Sequence, residues 1–212
     1  MHVHSKQSDD AGGTVEGYLK WIGVLRKKGY RLDGVVLTEH RGFDFDIDYS
    51  EIANQYDVLV LKGAEVETDL GHVLLYGITE ALTNQFDLTN IHLPAYEVFR
   101  AMQQTGGSAV AAHPGRTTIG LCEYMASGAT IDCIDTVESL NGGSNEAENN
   151  LANQFAAQYG LKSIGGSDSH YVSSIGKCST YFYNNINSIE DMVNELRSGQ
   201  FHPVGIDDTR SN

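Results

Sequence analysis

The sequence predicts a single α/β domain over residues 1–212, built as a barrel of parallel strands with a helix after each. Three observations predict it. Short apolar runs of β type alternate with amphipathic helical stretches almost throughout. There are about seven such units, enough to close a barrel rather than leave an open sheet. Histidines and carboxylates fall at or just past the C-terminal ends of the strand-like runs, the end that carries the chemistry in such barrels.

The elements follow in order. After His2-Val3-His4, helical spacing of Trp21, Ile22 and Leu25 predicts a helix from Val15 to Lys28, closed by Gly29 behind a basic last turn. Gly34–Thr38 reads as a strand buried on both faces. Val58–Leu61 leads into Gly63-Ala64-Glu65, and Val73–Gly77 follows after a short turn. Pro94 opens a helix to Gln104, and Ser108–Ala112 is the next strand. A short helix at Leu121–Ala126 precedes a strand at Cys133–Glu138. A helix over Asn145–Tyr159 leads to the strand Lys162–Gly166. Thr180–Tyr183 is a last strand, Ser188 with Asp191 marks a helix start, and Phe201-His202-Pro203 reads as a turn.

Composition narrows the function. The chain is 41% hydrophobic and 20% charged, and no stretch is apolar for the roughly 18 residues a membrane helix needs. The start lacks a signal-peptide layout, so the expected location is cytoplasmic. The three cysteines, Cys122, Cys133 and Cys178, show no CxxC spacing and read as small buried thiols. A net charge of −14 repels a polyanion, which argues against long nucleic acid as a partner. Acidic groups kept for binding cations are a second source of that charge.

Six of the eight histidines sit where strand ends converge. His4 ends the first run, Glu39-His40 the second, and Glu65 with Glu67 the third. His113, Glu138 and Ser167-Asp168-Ser169-His170 end later ones. His2 and His4 stand two apart on an extended segment, so their rings project to one face. Asp168-Ser169-His170 repeats the device, and Gly165-Gly166 lets the backbone pass close to a ligand or metal. His72 opens a strand, where only the short connection from Glu65 keeps it near the rim. One histidine means little, but six mixed with carboxylates describe a metal cluster suited to Zn, Mn or Fe rather than Ca or Mg.

These residues resemble a known series. His2-Val3-His4-Ser5…Ser8-Asp9, Thr38-Glu39-His40, Gly63-Ala64-Glu65-Val66, Ala112-His113-Pro114 and Gly166-Ser167-Asp168-Ser169-His170 are similar, in order, to the motifs of the polymerase and histidinol phosphatase (PHP) family. The resemblance implies a distorted seven-stranded, TIM-like β/α barrel with two to three divalent ions. It implies that His2, His4, Glu65 and Asp168 hold one ion, that Glu65 bridges to a second with His72 and His113, and that Asp9, His40 and His170 hold a third. The chain departs from the family in three places. His2 follows Met1 directly where the family runs a strand into the motif, which expects an upstream start or a shortened first strand. Thr38-Glu39-His40 replaces the commoner TDH. Asp10-Ala11 stands where glycine is usual, leaving Asp9 and Asp10 both eligible, with spacing favouring Asp9.

The expected function is hydrolysis of a small phosphorylated metabolite or nucleotide through a hydroxide bridging two ions. Arg116 is expected to clamp a phosphate, and His170, when free of metal, to protonate the leaving oxygen. Glu138 and Asn141 are expected behind the ligands or against substrate, and Lys6 is a candidate for anionic substrate, with plain solvent exposure the commoner role of such a lysine. Short loops predict a shallow mouth. Two other readings remain: a C–N hydrolase of amidohydrolase type, for which Lys62 lies near a strand end, and a silent metal-binding module.

Overall fold

The computed structural model describes residues 1–130 and 132–210. Helix α1 (Val15–Lys27) starts at Thr14, whose side chain accepts the Gly17 N–H, and buries the stripe Tyr18, Leu19, Ile22 and Leu25. Strand β1 (Gly34–His40) runs parallel to β2 (Leu59–Thr68), with α2 (Ser50–Tyr56) between them. Strand β3 (Gly71–Tyr76) pairs antiparallel with β2, and again antiparallel with β4 (Ser108–Ala111), after helices α3 (Glu80–Gln85) and α4 (Ala95–Gln104). Parallel pairing resumes with β5 (Thr136–Asn141) beyond α5 (Leu121–Ala126), and with β6 (Lys162–Gly166) beyond α6 (Glu146–Tyr159).

The result is one curled six-stranded sheet in the order β1-β2-β3-β4-β5-β6. A separate antiparallel ribbon joins β7 (Cys178–Phe182) to β8 (Phe201–Gly205), with α7 (Ile189–Ser198) in the connection. Val36, Leu74, Tyr76, Val110 and Ile164 form one buried cluster with Met192, Val193 and Leu196 of α7. Full burial of side chains of this size contributes about 1.5–3 kcal/mol each.

Four expectations need correction. The strands are not all parallel: only Asp69 and Leu70 separate β2 from β3, too short a span for a crossover, so the chain folds back as a hairpin. That reversal carries the start of β3, with His72, to the rim where β1 ends, because His72 pairs with Glu67 and Glu65 pairs with His40. Second, the strand expected at Cys133–Glu138 lies at Thr136–Asn141, which places Glu138 inside it beside a bulge. Third, Phe201-His202-Pro203 is strand rather than turn, with Pro203 opposite Thr180 on a two-stranded ribbon where a missing N–H is tolerated.

Fourth, the described residues show a six-stranded half-barrel and not a complete seven-stranded ring. The N-terminal segment makes single-residue parallel bridges from Val3 to Leu37 and to Ser169. Thr38 N–H donates to Val3 O at 2.8 Å, and His4 N–H to Ser169 O at 2.9 Å. Beside Met1 a cavity of about 660 Å³ separates Gly34–Val36 of β1 from the β7 strand, so the sheet stays a half-barrel there. Among the described residues no helix is long and apolar enough to cross a membrane.

Candidate metal centre

Glu65 occupies the middle of the rim, only 2% exposed. Its Oε1 lies 2.9 Å from His72 Nδ1 and 3.0 Å from His113 Nε2. Its Oε2 lies 3.1 Å from His2 Nε2, 3.2 Å from His4 Nε2 and 3.2 Å from His40 Nδ1. Asp168 Oδ1 stands 3.5 Å from both His2 Nε2 and His4 Nε2. Three groups of ligand atoms are close enough to share an ion: His2, His4 and Asp168; His2, Glu65 and His113; and His4, His40 and His170.

A carboxylate has about four lone-pair sites, so five imidazole nitrogens cannot all donate to Glu65. Some must aim lone pairs at negative oxygens, a repulsive arrangement that an intervening cation turns into coordination. His4 Nε2 is buried and has no hydrogen-bond partner. The donor set of imidazole and carboxylate suits a borderline divalent ion. The residues fit the metal that the resemblance implies.

The groups behind the ligands set their tautomers. Burial opposes the charge of Glu138, but His2 outweighs it and holds this carboxyl below its usual range, so it accepts only. Glu138 therefore accepts the Nδ1–H of His2, with Oε1 and Oε2 each at 3.1 Å, and turns Nε2 toward Glu65 and Asp168. It also accepts the His113 N–H at 3.0 Å and Asn141 Nδ2–H at 2.8 Å. Ser8 Oγ does similar service for His4, 3.4 Å from its Nδ1, while donating to Glu39 Oε2 at 2.6 Å. Tyr18, wholly buried, donates its hydroxyl to His4 O at 2.6 Å and to Ser169 O at 3.0 Å. It ties the first ligand segment to the last.

Burial opposes ionisation of Glu65, but His2, His113 and His4 outweigh it and hold this carboxyl well below the usual range. Burial likewise opposes protonation of His2, and Glu138, Asp168 and Glu65 reverse the balance, raising it well above its ordinary value. In His40 and His113 burial wins and lowers the pKa, favouring the neutral, metal-binding form. Two rim residues hold left-handed backbone without being glycine: His113 at φ 30° and Asp168 at φ 48°. Such strain persists where the surroundings over-determine it, as at ligand-holding sites.

The structure gathers His2, His4, His40, Glu65, His72, His113, Asp168 and His170, and treats the other candidates differently. Asp9 is turned out, 78% exposed, with its carboxylate 4.0 Å from Arg41. Asp10 takes the expected place, its Oδ2 3.2 Å from His170 Nε2 and 3.4 Å from His40 Nε2. Glu138 and Asn141, expected behind the ligands or against substrate, are 0% and 1% exposed and stand behind the candidate ligands. Arg116 Nη2 donates to Asp168 Oδ2 at 2.8 Å and to Asn141 Oδ1 at 2.9 Å, so this part of the guanidinium orients a ligand instead of clamping phosphate. Lys6 is exposed and makes no ion pair among the described residues. Gly166 clears space for side chains, since a Cβ there would collide with Glu138 Oε1 and lie 2.6 Å from His2 Cβ. Lys62 Nζ donates to the carbonyls of Asp44 and Phe45 and, among the described residues, to no group of the rim, so it does not stand as a bridging lysine of amidohydrolase type. Sequence reading missed Tyr18, Ser8 and Glu39 as supports; Ser8 and Glu39 stood inside the quoted motifs, whereas nothing local marked Tyr18.

The PHP-associated family model matches residues 146–201, a segment that includes Asp168 and His170. The match supports the PHP resemblance over this C-terminal quarter of the chain. Three solved structures share the fold of this chain. PsfC from Pseudomonas syringae PB-5123 is 19% identical, with 97% of this chain and 89% of that one covered and a TM-score of 0.70. The lesion-specific endonuclease EndoQ from Pyrococcus furiosus is 17% identical, covering 96% of this chain and 56% of its own, at TM-score 0.65. A provisionally assigned metal-dependent phosphoesterase from Bifidobacterium adolescentis is 17% identical, covering 93% and 94%, at TM-score 0.56. No curated protein matches the sequence.

Proposed function

We propose that this chain belongs to the PHP family and is a metal-dependent phosphoesterase acting on a small phosphorylated molecule. The observation that carries the reading is Glu65 surrounded by five imidazoles and backed by Asp168, a geometry that calls for more than one shared cation. Two to three divalent ions, Zn, Mn or Fe, would be held by His2, His4, His40, Glu65, His72, His113, Asp168 and His170. When bound they supply Lewis acidity toward water and phosphoryl oxygens, so no serine or cysteine nucleophile is needed.

The chain's own residues do the positioning. Glu138 keeps the proton of His2 on Nδ1. Arg116 fixes Asp168, and its Nη1, which makes no hydrogen bond among the described residues, is the part left for a phosphate oxygen. His170 is the most open imidazole of the rim at 25% exposure, with Nε2 against Asp10, and when it is free of metal it is placed to give a proton to the leaving oxygen. The net charge of −14 supports a small substrate over a long polyanion.

The test is phosphate release from a panel of monoesters and diesters before and after chelation. Activity is expected to disappear with the metal and to return with Zn, Mn or Fe. Metal-replete protein that cleaves amides but no phosphate ester would instead favour a C–N hydrolase.

A further inference from the structure

Arg41 follows His40 at the end of β1, and its backbone is left-handed at φ 54° although it is not a glycine. Its N–H donates to Glu65 O at 2.9 Å, which turns the chain at the rim. Left-handed backbone costs stability in a residue with a Cβ. The ion pair that Arg41 makes with Glu67 does not offset this cost, because pairs so open to solvent contribute little. Strained backbone beside candidate ligands points to a task for the side chain.

That side chain is held over the rim. Glu65 and Glu67 stand two apart on β2, so their carboxylates share one face, and Glu67 pairs with His72, whose ring reaches Glu65. One pleat, a rise of roughly 7 Å, separates the two glutamates along the strand. Exposure climbs from 2% at Glu65 to 25% at Glu67 and 45% at Arg41, so the series runs outward from the candidate ligands to solvent. Arg41 Nε donates to Glu67 Oε1 at 2.7 Å and fixes the guanidinium at that height. Neither of its Nη atoms makes a hydrogen bond among the described residues. Nη1 is 4.0 Å from Asp9 Oδ2, and Asp9 is 78% exposed, so this contact is loose and open to exchange.

A planar fork with a permanent charge and two free N–H edges matches two oxygens of one phosphoryl group. Arg116 holds Asp168 from the other side of the rim, whereas Arg41 is tied to no candidate ligand by its side chain. A monoester carries more negative charge than a diester and keeps its outer oxygens bare; in a diester an organic group caps one of them. We propose that Arg41 is a substrate-binding residue whose Nη1 and Nη2 grip the outer phosphoryl oxygens, that Glu67 is its positioning residue, and that the site thereby selects phosphate monoesters over diesters. The proposal rests on the phosphoesterase reading and deepens it by naming the ester class.

The experiment compares phenyl phosphate with methyl phenyl phosphate, which release the same phenol, on metal-replete protein. Wild type is expected to favour the monoester by roughly 10-fold or more in kcat/KM. Arg41→Gln should lower monoester kcat/KM by roughly 10–100-fold, mostly through KM, and leave the diester within about 3-fold. Arg41→Lys keeps the charge without the fork and should recover only part of the loss. Glu67→Gln should cost the monoester about 3–10-fold and spare the diester. Calorimetry of inorganic phosphate on metal-replete protein reads the fork without turnover: affinity is expected to fall roughly 10-fold in Arg41→Gln at unchanged metal content. If Arg41→Gln fails to fold, Arg41→Lys carries the test. A wild type that favours the diester, equal losses on both esters, or a variant that keeps both its ester ratio and its phosphate affinity overturns the proposal. Loss of metal in Arg41→Gln also overturns it, since the residue would then serve the ligands. Absence of turnover on both esters, with phosphate affinity still dependent on Arg41, overturns the phosphoesterase reading and leaves Arg41 standing as an anion-binding residue.

Discussion

Glu65→Gln is expected to strip the rim of its metal and to reduce phosphate-ester hydrolysis by roughly two orders of magnitude or more. Glutamine keeps the shape of the side chain but removes the charge that faces five imidazoles, and it turns one acceptor into a donor. An NH₂ group at either oxygen position meets imidazole nitrogens that must present lone pairs to an ion. The fold should survive, because the isosteric replacement leaves the packing of Ala64 and Val66 on the other face of β2 untouched. Elemental analysis per chain and phosphate release check the two halves of the expectation separately. Full metal content in the variant would show that Glu65 is an ordinary buried carboxylate.

Glu138→Ala is expected to act on stability first. It leaves His2 Nδ1–H, His113 N–H and Asn141 Nδ2–H without their shared acceptor at a site with no solvent access. Breaking a buried charged network from one side costs about 3–5 kcal/mol. At about 2–4 °C per kcal/mol for a chain of this size, Tm falls by roughly 6–20 °C. Glu138→Gln keeps one acceptor oxygen and is expected to fold near normally. Its metal affinity should drop by about 10–100-fold, the usual effect of losing an outer partner of a ligating histidine. Scanning calorimetry with a metal titration separates the two substitutions; equal Tm in wild type and Glu138→Ala contradicts the role assigned to this residue.

Most of the candidate rim was legible because its residues sit at strand ends, and strand ends are marked by short apolar runs giving way to His, Asp or Glu. Periodicity tells where a strand lies but not which way it runs. The direction of β3 was therefore lost, although the brief gap between Thr68 and Gly71 carried it. The same reversal explains why His72, at the start of its strand, reaches Glu65.

Glu138 was misplaced at a strand end because the register shift between Glu138 and Leu140 is a property of pairing with β6, invisible in one sequence. Between Asp9 and Asp10, spacing alone had no power to choose: adjacent residues differ by the local turn, and the Ala11 N–H to Ser8 O bond that shapes it depends on tertiary contacts. Tyr18 escaped notice for a related reason. Its helical position is that of a core residue, and only the approach of His4 and Ser169 gives its hydroxyl a task.

The central claim is met most directly by anomalous diffraction from crystals equilibrated with Mn or Zn. The account predicts peaks within about 2.0–2.3 Å of Glu65 carboxylate oxygens and of the Nε2 atoms of His2 and His4, with Asp168 on one of them. A map at saturating metal with no peak among these residues, and ions only at exposed carboxylates such as Asp9, contradicts it.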